Sequence, residues 1–554
     1  MTKAEQLKTI FSPRSIAVIG ASAKQQSLGR AVFANLLFAT YGGCVYPVNT
    51  KAKSVLGVRA YPSVTDIPDE VDLAVVLVPA GIVPEVLRDA GRKGCKAAIV
   101  ISAGFKEIGG QGVELERQLG EVARSFGMAV IGPNCFGVIN TEPEVSMNAT
   151  FSRNFPLRGK IAFISQSGAI GVAALEYAAG RKIGFSKFAS VGNKVDIHEN
   201  HMLEALAEDP ETDVILLYVE NLEDPKEFIN LAQRISEHKP ILAVKSGRTT
   251  EGAKAAASHT GALSGSDEVY DSLFAQCGVL RVETLEDLFR FGVAFANQPL
   301  PRGRKVAIVT NAGGPGIMAT DIAVRHGLEL ARLTPESKSL LRSKMPATVS
   351  LDNPVDLVGD ADETRYGLAM QAVVRDENVD SVIAICVPQM LTNLQATSEM
   401  IVQQVRTSDK PVSAVYMATG DIESSLKILD GAKIPHYRFP EDAARALSAM
   451  TRYVNWRQRP HTEIAHYEDV DRDAVRGIIA RAKDRRRFLP EPEAHAVLRA
   501  YGLPMSRSVH AGDEADCVRA AKEIGFPVVM KIVSPQIVHK VDVGGVRLNL
   551  QNEA

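Results

Sequence analysis

The chain has 554 residues, 45% of them hydrophobic and 23% charged, with a formal net charge of -2. That balance describes a folded chain of several domains, and it excludes a partner, nucleic acid or membrane surface, held by a global basic field. The six cysteines show no CxxC or Cys/His spacing, so no metal site is assigned; reduced thiols and a cytoplasmic location are expected. The opening "MTKAEQLKTI" has no apolar core like that of a signal peptide, and no run approaches the roughly 18 apolar residues of a membrane span.

In chain order, "SIAVIG" (15–20) predicts a strand that runs into Gly20-Ala21-Ser22, with a helix starting near Gly29. Small residues there let backbone amides and a helix N-terminus approach a phosphate. The next strand, "CVYPVNTKAKSVLG", ends in Asn49, Lys51 and Lys53 and carries no acid. An NAD site would place Asp or Glu at that point to hold the ribose hydroxyls; cations suit a ribose bearing its own phosphate, as in NADP or coenzyme A. "DLAVVLVP" and "AAIVIS" continue the alternation of apolar strand and helix, and "IGPNCFGVIN" (131–140) ends a strand in a Gly-Pro-Asn turn. Near-continuous apolar strands predict parallel sheets buried on both faces.

An internal repeat follows. "KIAFISQSGA" from Lys160 matches "KVAIVTNAGG" from Lys305 in the order lysine, apolar, alanine, two apolar, hydroxyl, amide, small, glycine. "TDVILLYVE…KPILAVKSG" is similarly matched by "VDSVIAICVP…KPVSAVYMA", so the chain predicts two copies of one doubly wound α/β unit, 150–297 and 302–455, after a first α/β domain at 8–145. Each copy runs from strand to helix through small residues, and Ser167-Gly168 and Gly313-Gly314 are candidate phosphate cradles. Glu220 ends "DVILLYVE", where ligands of parallel sheets gather, and a carboxylate there can orient an imidazole. His259 stands in "AAASHTGALSG", a run of small residues with free amides. Residues 456–488 read as a charged linker with one helix, and 489–554 as helix, helix, strand and strand, the last strand leaving an unpaired edge where a domain looks cut short.

Together "IGAS", "YPVN", "ISAGF", "IGPNCFG", "SQSGA", "VGNKVDI", "SHTGAL", "NAGGPG", "DNPVDL" and "GFPVVMKIVSPQIVHKVDVGGV" resemble, in this order and over essentially the whole chain, the nucleoside-diphosphate-forming acyl-CoA synthetases, relatives of succinyl-CoA ligase. The resemblance implies a Rossmann-like CoA-binding domain, two flavodoxin-like domains and the start of an ATP-grasp domain. It implies CoA contacts at Gly20, Ala21, Ser22, Asn49, Lys51, Ile101, Ser102 and Asn134, and an acyl phosphate formed between the repeated domains. His259 would accept the phosphoryl group, Glu220 would orient it, and "VGNKVDI" would add Asn193 and Asp196. Lys531 would touch nucleotide phosphates and His539 would be a second relay histidine. Val541 departs from the family's usual Ser or Thr, and the chain is expected to end before the acidic residues that hold Mg²⁺ in a complete ATP-grasp domain.

The implied ligands are CoA, ATP or ADP, phosphate, an acyl-CoA and a small carboxylic acid. The implied partner is a second copy, or a chain supplying the rest of the ATP-grasp domain. Two readings compete with acid–CoA ligation: a CoA or acyl-CoA sensor without turnover, and a scaffold related to protein lysine acetyltransferases.

Overall fold

The Val- and Ile-rich runs form parallel strands whose side chains are buried on both faces, as their lack of alternation requires. The computed structural model describes residues 3–252, 254, 267–406, 408–418, 420, 422–460, 467–482, 489–534, 537 and 539–554. The chain divides into two units, residues 1–459 and 460–554.

Three sheets build the first unit. Across the first the order is Cys44–Val48, Ser15–Ile19, Leu73–Val76, Ala97–Val100, Ala129–Ile131, all parallel. Chain order reverses between Ser15–Ile19 and Leu73–Val76, which makes their carboxyl ends the switch point where an open α/β sheet takes its ligand. The second sheet runs Leu280–Val282, Ile241–Lys245, Val214–Val219, Leu157–Ser165, Gly184–Ser190. The third runs Glu329–Leu330, Lys305–Thr310, Ser381–Cys386, Val412–Tyr416, His436–Tyr437, with Val355–Asp356 also paired to Lys305–Thr310. With Val355–Asp356 set aside, the five strands named first in each copy number 2-1-3-4-5, the doubly wound order expected of a flavodoxin-like fold.

The second sheet also takes two strands that precede its own copy in the chain, the first of them within the 8–145 expected for the first domain. Gly137–Asn140 and Met147–Thr150 form an antiparallel pair, and the former adds antiparallel to Gly184–Ser190. Their placement follows from non-local pairing, which a run such as "SMNAT" does not announce.

The repeat has a physical meaning at each strand end. Ser165 Oγ donates to the Ser167 carbonyl at 2.7 Å and accepts its amide at 3.2 Å. Thr310 makes the same pair with Ala312, at 2.9 and 3.1 Å. The amide residue that follows ties the first strand of the copy to the third. Gln166 Oε1 accepts from the amides of Glu220 (2.7 Å) and Asn221 (3.1 Å), and Asn311 Oδ1 accepts from that of Val387 (2.9 Å). Hydroxyl and amide recur because each copy has the same switch point to close.

Helices Leu285–Asn297 and Pro440–Arg457 join the second and third sheets, placing Phe163, Leu216, Phe289, Ile308, Leu447 and Tyr453 in one core. Arg445 on the second helix reaches Asp287 on the first at 3.0 Å.

The second unit has helices Arg472–Ala482, Glu491–Ala500 and Glu514–Ile524 and strands Val528–Lys531 and Val546–Leu550. The last strand pairs antiparallel with Val528–Lys531 in a two-stranded sheet, so its other edge is unpaired among the described residues. No helix among the described residues is long and apolar enough to cross a membrane.

Candidate functional site

The carboxyl ends of the first and second sheets open on one cavity of about 920 Å³. On the first sheet's side, Gly20 ends strand Ser15–Ile19 with φ 97°, and a Cβ there would meet the Leu77 carbonyl oxygen at 2.5 Å. Helix Leu28–Phe38 starts so close behind that a Cβ on Gly29 would lie 2.0 Å from the Gly20 oxygen. Both positions therefore demand glycine. Ser27 caps this helix, its hydroxyl accepting from the Arg30 amide at 3.3 Å. Ile101 and Ser102 follow strand Ala97–Val100, and Asn134, at φ 56°, gives its backbone amide to the Ser102 carbonyl at 2.9 Å.

On the second sheet's side, Ser167 caps helix Gly168–Arg181 and accepts from the Ile170 amide at 3.4 Å. The helix start faces the cavity through Ser167, Gly168 and Ala169. Its first-turn amides and positive dipole end suit an anion. Glu220, just past strand Val214–Val219, lines the same cavity.

A loop at 191–197 binds the two walls together. The Asn193 amide group donates to Glu107 Oε2 (2.7 Å) and Glu116 Oε2 (2.8 Å) and accepts from Asn134 Nδ2 (3.3 Å). Lys106 donates to the Asn193 carbonyl and lies 3.3 Å from Glu116. Burial pushes the Glu107 carboxyl up, but hydrogen bonds from Asn193 and the amides of Gly104 and Phe105 outweigh it and hold the group below its ordinary value. Next in the loop, buried Lys194 reaches Glu199 (3.2 Å), Glu223 (3.3 Å) and Asn221 Oδ1 (3.0 Å). Cys135 also lines the cavity, but burial pushes its thiol up to about 12, so it remains protonated and a poor nucleophile.

The structure thus brings Gly20, Ile101, Ser102, Asn134, Asn193, Ser167, Gly168 and Glu220 to one cavity. Other expected residues fall elsewhere. Ala21 is buried, and Ser22 Oγ accepts from the Lys24 amide at 3.2 Å. Asn49 shapes its own loop: Nδ2 donates to the Ala21 carbonyl at 2.7 Å, and Oδ1 accepts from the amides of Lys51 and Ala52, each at 2.8 Å. The Lys51 side chain is exposed beside them. Asp196 points away from the cavity, accepting from Lys3 (2.7 Å) and the Val130 amide (3.0 Å).

Gly313 and Gly314 start helix Gly313–Arg325 of the third sheet and do not line this cavity. Asp356 stands beside them, its Oδ2 3.4 Å from where a Gly313 Cβ would be. His259 lies outside the described residues. In the second unit Lys531 and Lys540 both hold Glu491, at 2.7 and 3.0 Å; hydrogen bonds from Lys531, and then Lys540, keep that carboxyl below its ordinary value against the opposing effect of burial. His539 sits beside Lys540 in sequence.

Sequence reasoning missed Gln166, Lys194, Lys106 and Glu107. Gln166 and Lys194 stood inside quoted motifs, and an amide repeated in both copies was the usable signal.

Four family models match in order: a CoA binding domain at 14–141, a succinyl-CoA ligase like flavodoxin domain at 158–295, a ligase-CoA domain at 306–460 and an ATP-grasp domain at 480–554. An ADP-forming 4-hydroxybutyrate–CoA ligase of Nitrosopumilus maritimus is 42% identical over 548 residues, 98% of this chain and 78% of that protein. An ADP-forming acetate–CoA ligase of Archaeoglobus fulgidus is 40% identical over 98% of this chain and 78% of its own length. Among solved structures, a dinucleotide-forming acetyl-coenzyme A synthetase of Ca. Korarchaeum cryptofilum, in complex with phosphate and ADP, superposes with a TM-score of 0.78 at 38% identity, covering 81% of this chain and 97% of that one.

Proposed function

The chain belongs to the ADP-forming acyl-CoA ligases, and on that premise we propose that the shared cavity carries the CoA and acyl-phosphate half of the reaction. The observation that supports this most is that the switch points of the first and second sheets line a single space. The first wall, at Gly20, Ile101, Ser102 and Asn134, takes CoA and presents its thioester. The second, at the start of helix Gly168–Arg181, takes phosphate.

In the acyl-CoA direction a phosphate oxygen attacks the thioester carbonyl. The C–O bond forms, the C–S bond breaks, and CoA leaves as the thiol with the proton the phosphate gives up. The acyl phosphate then passes its phosphoryl group to His259: the P–O bond breaks, an N–P bond forms and the carboxylate departs. Glu220, fixed by its backbone amide to Gln166, accepts the other imidazole N–H and stabilises the charge that develops on the ring. ADP then takes the phosphoryl group and becomes ATP.

The second unit, by its match to an ATP-grasp domain, serves nucleotide, with Lys531 releasing Glu491 for a phosphate and His539 as a relay. Among the described residues no group of three or more His, Cys, Asp or Glu is arranged to hold a metal ion. The acid is a small carboxylic acid, in line with the acetate and 4-hydroxybutyrate of the relatives' names.

The test is the intact mass of the chain after incubation with phosphate and acetyl-, butyryl- or hexanoyl-CoA. One acid-labile phosphoryl group, absent from His259→Ala, is the expected result. A chain that binds CoA and is never phosphorylated would instead be a CoA-binding protein. Glu220→Gln is expected to slow phosphorylation about a hundredfold or more, within the usual contribution of a positioned acid or base.

A further inference from the structure

If the phosphate end of the acyl phosphate is held at Ser167-Gly168, the hydrocarbon end must leave that point along a wall of the same cavity. Phe136, Phe151 and Val172 line it beside the helix start. Phe136 packs on the first helical turn: a Cβ on Gly168 would meet the Phe136 Cβ at 3.6 Å, and one on Gly171 would meet its ring at 3.7 Å. Phe151 stands edge-on to Phe136, with ring centroids 4.4 Å apart at 79°. Val172 lies four residues beyond Gly168, about 6 Å along the helix axis; it lines the cavity and is 36% exposed overall.

Charge works in the same direction. The two lysines of the lining, Lys106 and Lys194, already face Glu116 at 3.3 Å and Glu199 at 3.2 Å. The lysines are thus engaged away from the tail; Glu107, Glu220 and Glu223 bring carboxylates to the same cavity, and beside the helix start the lining is apolar at Phe136, Phe151 and Val172. Acetate's single methyl cannot cover a wall that reaches one turn up the helix, whereas a longer hydrocarbon removes Val172 and the Phe151 ring from water.

We infer that Phe151 and Val172, backed by Phe136, form the acyl wall and set the size of the acid, fitting it to a hydrocarbon tail longer than a methyl group. This rests on the placement of the phosphate end at Ser167-Gly168 proposed above.

The test is a competition. The full chain is mixed with phosphate and equal concentrations of acetyl-CoA and hexanoyl-CoA, and the ratio of free acids released is read by mass spectrometry, which gives the ratio of kcat/KM values. The unaltered chain is expected to release more hexanoate than acetate. Val172→Phe fills the wall and is expected to move the ratio toward acetate by about tenfold or more, a methylene's worth of fit in an apolar pocket. Phe151→Leu opens the wall and moves the ratio further toward hexanoate. A general defect of folding slows both donors alike and leaves the ratio where it was. Acids released in a ratio that neither variant moves, or an unaltered chain that favours acetate, would overturn the acyl wall and leave the phosphate placement standing. No acid released from either donor would overturn both.

Discussion

Gln166 and Asn311 occupy one position in two copies of a repeat and do the same work, holding the end of one strand against another 54 and 76 residues away. Their recurrence was legible, because an amide follows a hydroxyl in both "ISQSGA" and "VTNAGG". Their partners were not, since a side-chain amide does not announce which distant backbone it will meet. Gln166→Leu strips the amides of Glu220 and Asn221 of their acceptor, and an unsatisfied buried donor costs about 1–3 kcal/mol. The urea midpoint is expected to fall accordingly, and phosphorylation to slow with the displacement of Glu220. Lys194 was less legible still, being one lysine in a polar loop until burial surrounds it with Glu199, Glu223 and Asn221. Lys194→Met leaves Glu199 buried without its cation and is expected to cost about 3–5 kcal/mol by denaturant titration.

Among elements, the parallel strands were readable one by one, because burial on both faces writes itself as an uninterrupted apolar run. Pairing was readable only where the repeat supplied it. Gly137–Asn140 joined the second sheet through a pairing with Gly184–Ser190 that nothing local encodes, and brought Met147–Thr150 with it. The strand-to-helix turns were the most informative elements, since close approach leaves glycine as a visible trace. At helix Leu28–Phe38 that approach is testable. Gly29→Ala would force a methyl into the Gly20 carbonyl, shifting the helix from the strand end. CoA affinity measured by calorimetry is expected to weaken at least about tenfold, roughly 1.4 kcal/mol.

For the molecule as a whole, the order of the domains was legible from ten short motifs, whereas the way its surfaces seal was not. Helix Lys3–Phe11 packs on helix Glu199–Ala207 with Lys3 bonded to Asp196, and the rings of His198 and His201 lie 4.0 Å apart beside this seam. Burial, and then the neighbouring His198, pushes His201 down to about 4 from the ordinary 6.5. Between those two values the unfolded chain binds a proton that the folded chain refuses, so stability is lost as pH falls from 6.5 toward 4. Scanning calorimetry at pH 7 and 4.5 is expected to show this loss in Tm, and His201→Gln to reduce it. The loop at 191–197 has the wider consequence. Because Asn193 and Lys194 grip one wall each, a ligand that tightens either side of the proposed site is expected to tighten the other, which calorimetry of CoA binding with and without phosphate would read, and reciprocity would make the two effects equal. An inhibitor fragment selected on either wall is then a reporter of occupancy on the other, and two fragments bridged across the loop would be worth more than their separate affinities suggest.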